Sequence, residues 1–104
     1  MNCSFDFDGT LDQAEVQDYA KGLIKRGYNV TIVTQRPLVM FREVLNIGLS
    51  LGVEMNNIIY CGIRDKVDVL SNMEYAFHLD NKLVECKNFV MYDKNFITNC
   101  EKLL

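Results

Sequence analysis

The chain has 104 residues, 49% of them apolar and 24% charged, with 11 Lys and Arg against 14 Asp and Glu for a net charge of −3. That balance excludes a disordered chain, and the acidic charge argues against bulk electrostatic binding to nucleic acid or an anionic membrane. No apolar run approaches the ~20 residues that a spanning helix needs. The length predicts one domain over residues 1–104, large enough to bury a core without metal or disulfide staples.

The opening residues carry neither a basic stretch nor an apolar one, so no signal peptide is expected and the predicted location is cytoplasmic. Cys3, Cys61, Cys86 and Cys100 form no CxxC pair. They are read as reduced thiols, and their spacing with His78 fits no zinc finger or knuckle.

Short β-like runs alternate with helix-like segments, the pattern of a parallel sheet covered by helices. The first strand is expected over residues 3–7. Asp12 and Glu15 read as a capping box, with Leu11 and Val16 as the apolar staple across it. Val16, Tyr19, Ala20, Leu23 and Ile24 then make one apolar stripe, closed by Lys25, Arg26 and Gly27. A second strand is expected over 29–33. Pro37 suits the first turn of the next helix, which runs to about Leu51 with Phe41, Val44, Leu45 and Gly48 inward and Gly52 as its stop. Strands are expected at 57–61, 75–79 and 89–92, a short helix at 64–71 and a helical turn or two at 97–104.

The chemistry concentrates in Phe5-Asp6-Phe7-Asp8-Gly9-Thr10-Leu11. Two carboxylates at i and i+2 after an apolar strand repel each other unless a cation lies between them. Gly9 allows a sharp turn there. Mg²⁺ is a hard cation that takes oxygen ligands and keeps some waters, so the segment points to a magnesium site at a strand's C-terminal end.

This segment resembles the first motif, DxDGT[LV], of the haloacid dehalogenase-like superfamily, matching at Asp6, Asp8, Gly9, Thr10 and Leu11. The resemblance implies Asp6 as nucleophile and Asp8 as general acid/base. Members that cleave carbon–halogen bonds lack the second Asp, so its presence points to phosphoryl chemistry. Thr34, ending an apolar strand, matches the second motif and would bond the transferring phosphoryl group. Lys66 matches the third and would hold nucleophile and phosphoryl charge together. Asp80, after the fourth strand, matches the fourth as a Mg²⁺ ligand beside Asp6 and the Asp8 main-chain carbonyl. Asn81 and Lys82 follow where the family has a second acid. The resemblance covers residues 3 to about 82. It implies a three-layer α/β/α, doubly wound, mainly parallel Rossmann-like core of about five strands, ordered 5-4-1-2-3, without a cap domain.

Gly9, Thr10, Gln35 and Arg36 are the candidate substrate-binding residues. Arg36, with Arg42, Arg64, Lys66 and Lys82, could form a cationic rim for further phosphates or carboxylates. His78 reads as a hydrogen-bonded core histidine. The expected function is a Mg²⁺-dependent phosphatase with an open site, covered by a large phosphorylated substrate or by a second copy of the chain. The alternatives are a binding or regulatory module that keeps the fold and loses turnover, and a receiver-like domain phosphorylated on Asp.

Overall fold

The computed structural model describes residues 2–64, 69, 77–80 and 90–93. In chain order the elements are β1 (Asn2–Phe5), α1 (Ala14–Lys25), β2 (Asn29–Thr34), α2 (Phe41–Leu51), β3 (Ile58–Tyr60), β4 (Phe77–Asp80) and β5 (Val90–Asp93). The fold is mixed α/β around a parallel sheet. The strand order is β3-β2-β1-β4-β5, so β1 runs between β2 and β4. Every neighbouring pair is parallel. Successive right-handed crossovers in one direction put α1 and α2 on the same face, where they touch. Of the helix expected at 64–71 only residues 64 and 69 are described, and Val69 is helical. The helical turn expected at 97–104 lies outside the described residues, as do Cys86 and Cys100.

Alternation along β1 and β2 sorts the two faces. Cys3, Phe5, Val30 and Ile32 join Val16, Ala20, Leu23 and Val44 in one buried cluster under the helices. The Phe5 ring meets Tyr19 of α1 at 6.3 Å between centroids, tilted by 58°. The α1 stripe is the one its periodicity predicts: Val16, Ala20 and Leu23 are buried, and Tyr19 and Ile24 pack against them. At Gly48 α2 comes so close to the sheet that a Cβ would sit 3.1 Å from the Cδ1 atoms of Ile32 and Ile58. The opposite face is buried but more polar, with Ser4, Thr31 and His78 all enclosed.

Both helices stop where glycine predicts. The N–H of Tyr28 donates to Leu23 O across Gly27, and that of Val53 to Gly48 O across Gly52. Each bond recovers a carbonyl that the helix end leaves unpaired.

The helix starts differ from expectation. Asp12 has helical backbone angles, and its own N–H is already spent on Phe7 O. It therefore lacks the extended conformation of an N-cap. That position falls to Gln13, whose side chain makes no capping bond. Pro37 is extended (ψ 156) and precedes a tight turn, Leu38–Met40, so α2 begins only at Phe41. In the first turn Phe41 stands exposed rather than inward, with Leu38, Val39 and Met40 exposed before it.

Candidate active site

The sheet order brings the C-terminal ends of β2, β1 and β4 side by side. Parallel strands lie about 4.8 Å apart, so residues at equal depth on neighbours are close. Phe5 is in register with Leu79, which sets Asp6 level with Asp80 at the end of β4. Phe5 is also in register with Ile32, so Thr34 ends β2 just beyond Asp6. Asp6, Asp80 and Thr34 thus sit at three adjacent strand ends. Lys66, Asn81 and Lys82 lie outside the described residues.

Beyond Asp6 the chain makes one wide turn, Phe7–Leu11. It is closed by two five-residue-back bonds, Leu11 N–H to Asp6 O at 3.2 Å and Asp12 N–H to Phe7 O at 3.1 Å. Gly9 permits the turn because its φ is +78°, where a Cβ would be strained. Its N–H donates to Asp12 Oδ2 at 3.1 Å, which is what Asp12 does in place of capping α1. The turn folds Thr10 back so that its hydroxyl donates to Asp6 Oδ2 at 3.4 Å. Asp6 is 5% exposed, Thr10 and Thr34 are fully buried, and Phe7 and Leu11 close the turn onto the core. α1 begins three residues after Leu11, so no hairpin or cap intervenes between 11 and 14.

Thr34 is fixed through both its backbone and its side chain. Its carbonyl accepts from Cys61 N–H at 2.8 Å. Its hydroxyl oxygen accepts from the backbone N–H of Arg36 at 3.2 Å, which leaves the hydroxyl proton directed elsewhere. Gln35, a candidate for substrate contact, donates from its side-chain nitrogen to the carbonyls of Gly62 and Arg64, both at 2.7 Å. It ties the loop after β2 to the loop after β3. Arg64 turns its guanidinium onto the carbonyls of Tyr60 and Cys61.

Asp8 and Arg36 form the centre of the exposed side. Arg36 Nε donates to both Asp8 oxygens, at 3.1 and 2.9 Å, and Nη2 to Oδ1 at 2.6 Å. Nη1 reaches Glu43 Oε2 of α2 at 3.5 Å. The guanidinium lies 5.0 Å over the Phe7 ring, a cation–π contact. Its side chain is 19% exposed, against 54% for Asp8 and 55% for Glu43. The hydrogen bond to Asp8 drives the Arg36 pKa still further above its ordinary value, so its charge is permanent. Asp8 and Arg36 are 28 residues apart in sequence, and no local pattern announces the pair.

One pleat inside Asp6 and Asp80, Ser4 Oγ and His78 Nδ1 are 2.7 Å apart and wholly buried. His78 is thus the hydrogen-bonded core histidine its strand position predicts.

The donor set suits Mg²⁺ in kind: the Asp6 carboxylate and the Asp8 main-chain carbonyl are hard oxygens, and an aspartate, Asp80, ends the neighbouring strand β4. Among the described residues no three His, Cys, Asp or Glu side chains gather into a metal-holding group. Nor, among them, is any helix long and apolar enough to cross a membrane. Comparison with known proteins returned no matching family model, no matching curated protein and no matching solved structure.

Proposed function

We propose that the chain is a Mg²⁺-dependent phosphatase of the haloacid dehalogenase-like kind, working on a capless, three-layer, doubly wound core. The observation that carries this reading is the buried Asp6 carboxylate, held by Thr10 in the turn after β1 and flanked by the strand ends of Thr34 and Asp80. A nucleophile must be fixed and sheltered from bulk water, and the Phe7–Leu11 turn does both.

In the first step an Asp6 oxygen attacks phosphorus and the bond to the leaving oxygen breaks. That oxygen takes a proton from the Asp8 carboxyl. For Oδ2 to carry that proton Asp8 gives up its bond from Arg36 Nε at 2.9 Å, while Oδ1 keeps its bond from Nη2. In the second step water attacks the phosphorus of the aspartyl phosphate, gives a proton to Asp8, and orthophosphate leaves Asp6. The Thr34 hydroxyl donates to a phosphoryl oxygen, and Lys66 balances the charge of nucleophile and phosphoryl group. Mg²⁺, held by the Asp6 and Asp80 carboxylates and the Asp8 carbonyl, would supply positive charge against the phosphoryl oxygens. On this reading the site is open and is covered by a large phosphorylated substrate, or by a second copy of the chain, in the cytoplasm.

Hydrolysis of an aryl phosphate with and without Mg²⁺ tests the reading. Wild type turns over only with the metal, and Asp6→Asn falls by roughly a thousandfold or more. Equal rates for the two proteins remove Asp6 as nucleophile.

Two observations favour a second reading, a binding or regulatory module. Both Asp8 oxygens are engaged by Arg36, and Asn81 stands where a second acid would raise metal affinity. That module takes up Mg²⁺ with a rise in Tm and hydrolyses no member of a phosphate-ester panel.

A further inference from the structure

Arg36 is built more rigidly than an ordinary surface arginine. Its backbone N–H is bonded to Thr34, its guanidinium plane is seated over Phe7, and its Nε and Nη2 are spent on Asp8. A guanidinium has two usable edges, each able to take an oxyanion through paired N–H donors. The Nε–Nη2 edge is filled by Asp8 at 2.6 to 3.1 Å. The Nη1–Nη2 edge meets only Glu43 among the described residues, through one contact at 3.5 Å, the limit of a hydrogen bond. Glu43 stands in the first turn of α2, where the helix dipole stabilises a carboxylate without Arg36. Displacing it therefore costs little. A phosphate dianion brings more charge and more acceptor oxygens than one carboxylate and competes for that edge.

We propose that the Nη1–Nη2 edge of Arg36 is a second phosphate subsite, occupied by Glu43 in the resting protein, that selects substrates with a further phosphate beside the scissile one. The inference rests on the phosphatase reading for the place of the scissile phosphate. Arg36 touches Asp8, the group that serves the leaving oxygen, so the second phosphate lies on the leaving-group side. Its ordering cost is low because Thr34, Phe7 and Asp8 already hold the guanidinium in place.

Calorimetric binding of methylphosphonate and methylenediphosphonate at fixed free Mg²⁺ tests it without requiring turnover. Wild type binds the diphosphonate about tenfold more tightly than the monophosphonate, the gain of roughly one charge-assisted hydrogen bond. In Arg36→Gln that preference shrinks to about twofold or less. In Glu43→Gln, which removes only the competitor, the diphosphonate binds about threefold more tightly than to wild type and the monophosphonate is unchanged. A preference that survives in Arg36→Gln, or weaker diphosphonate binding by Glu43→Gln, overturns the proposal. Equal binding of the two ligands with Mg²⁺-dependent hydrolysis intact removes the second subsite alone. Binding of neither ligand to wild type removes both this subsite and the phosphatase reading.

Discussion

Asp6, Thr10 and Thr34 are shut away from water at the strand ends, whereas Asp8, Arg36 and Glu43 on the same edge stand partly in it. The first group is held by backbone geometry: a five-residue turn, adjacent strand ends and bonds to main-chain groups. The second is held by charge across 28 residues of sequence. Buried polar groups are costly to leave unpaired and therefore have fixed partners. Exposed ion pairs contribute little stability and exchange partners easily. One edge thus offers a fixed floor suited to holding a reacting group and a mouth whose charges can re-pair around a ligand.

If the floor depends on the core beneath it, removing Phe5 should cost most. Phe5→Ala empties a fully buried ring next to Asp6 and should lower stability by about 3–5 kcal/mol by denaturant titration. A loss below about 1 kcal/mol would mean that the floor does not rest on this packing. Thr34→Val keeps the shape and removes the hydroxyl. The phosphatase reading predicts a drop in kcat/KM of roughly a hundredfold with the fold retained. An unchanged rate would detach Thr34 from the site.

On the exposed side the effects should be smaller. Asp12→Ala deletes the acceptor for Gly9 N–H and should cost about 1 kcal/mol of stability. It should also lower activity by loosening the turn that holds Asp8; full activity would show that the turn stands without Asp12. Back in the core, the Cys3 thiol of β1 is fully buried. Burial pushes its pKa from 9.0 up to about 12. The neutral thiol is the form the folded chain favours, so its contribution to stability is complete below about pH 9. It is lost as the pH rises from there through about 12. Peptide mapping after alkylation at pH 8 should find Cys3 unmodified in the native protein and modified in denaturant. Rapid native labelling would contradict its burial.

The floor was largely legible in the sequence; of the mouth, Asp8 and Arg36 were legible as site residues, but neither their contact with each other nor Glu43 was. The α1 stripe, the apolar strands and the glycines ending both helices are local patterns, and local patterns set those elements. Asp6 and Thr34 could be placed because each ends a strand with a clear apolar run before it. The position of β1 between β2 and β4 came from the resemblance, since no local signal encodes strand order. Where two local signals competed, the sequence misled. Asp12 reads as a helix cap, but the wide turn after Asp6 consumes its backbone and redirects its carboxylate to Gly9. The Asp8–Arg36–Glu43 contact joins three elements through side chains alone, and nothing in the spacing of those residues foretells it.

The central claim is that Asp6 becomes phosphorylated during turnover. Acid-quenching the wild-type protein during hydrolysis of an aryl phosphate, reducing with borohydride and mapping the peptides by mass spectrometry tests it directly. An aspartyl phosphate at Asp6 is converted to homoserine at that position, and the account predicts that conversion in wild type and its absence in Asp6→Asn. Steady hydrolysis with residue 6 still aspartate, or homoserine at Asp8 instead, would contradict it.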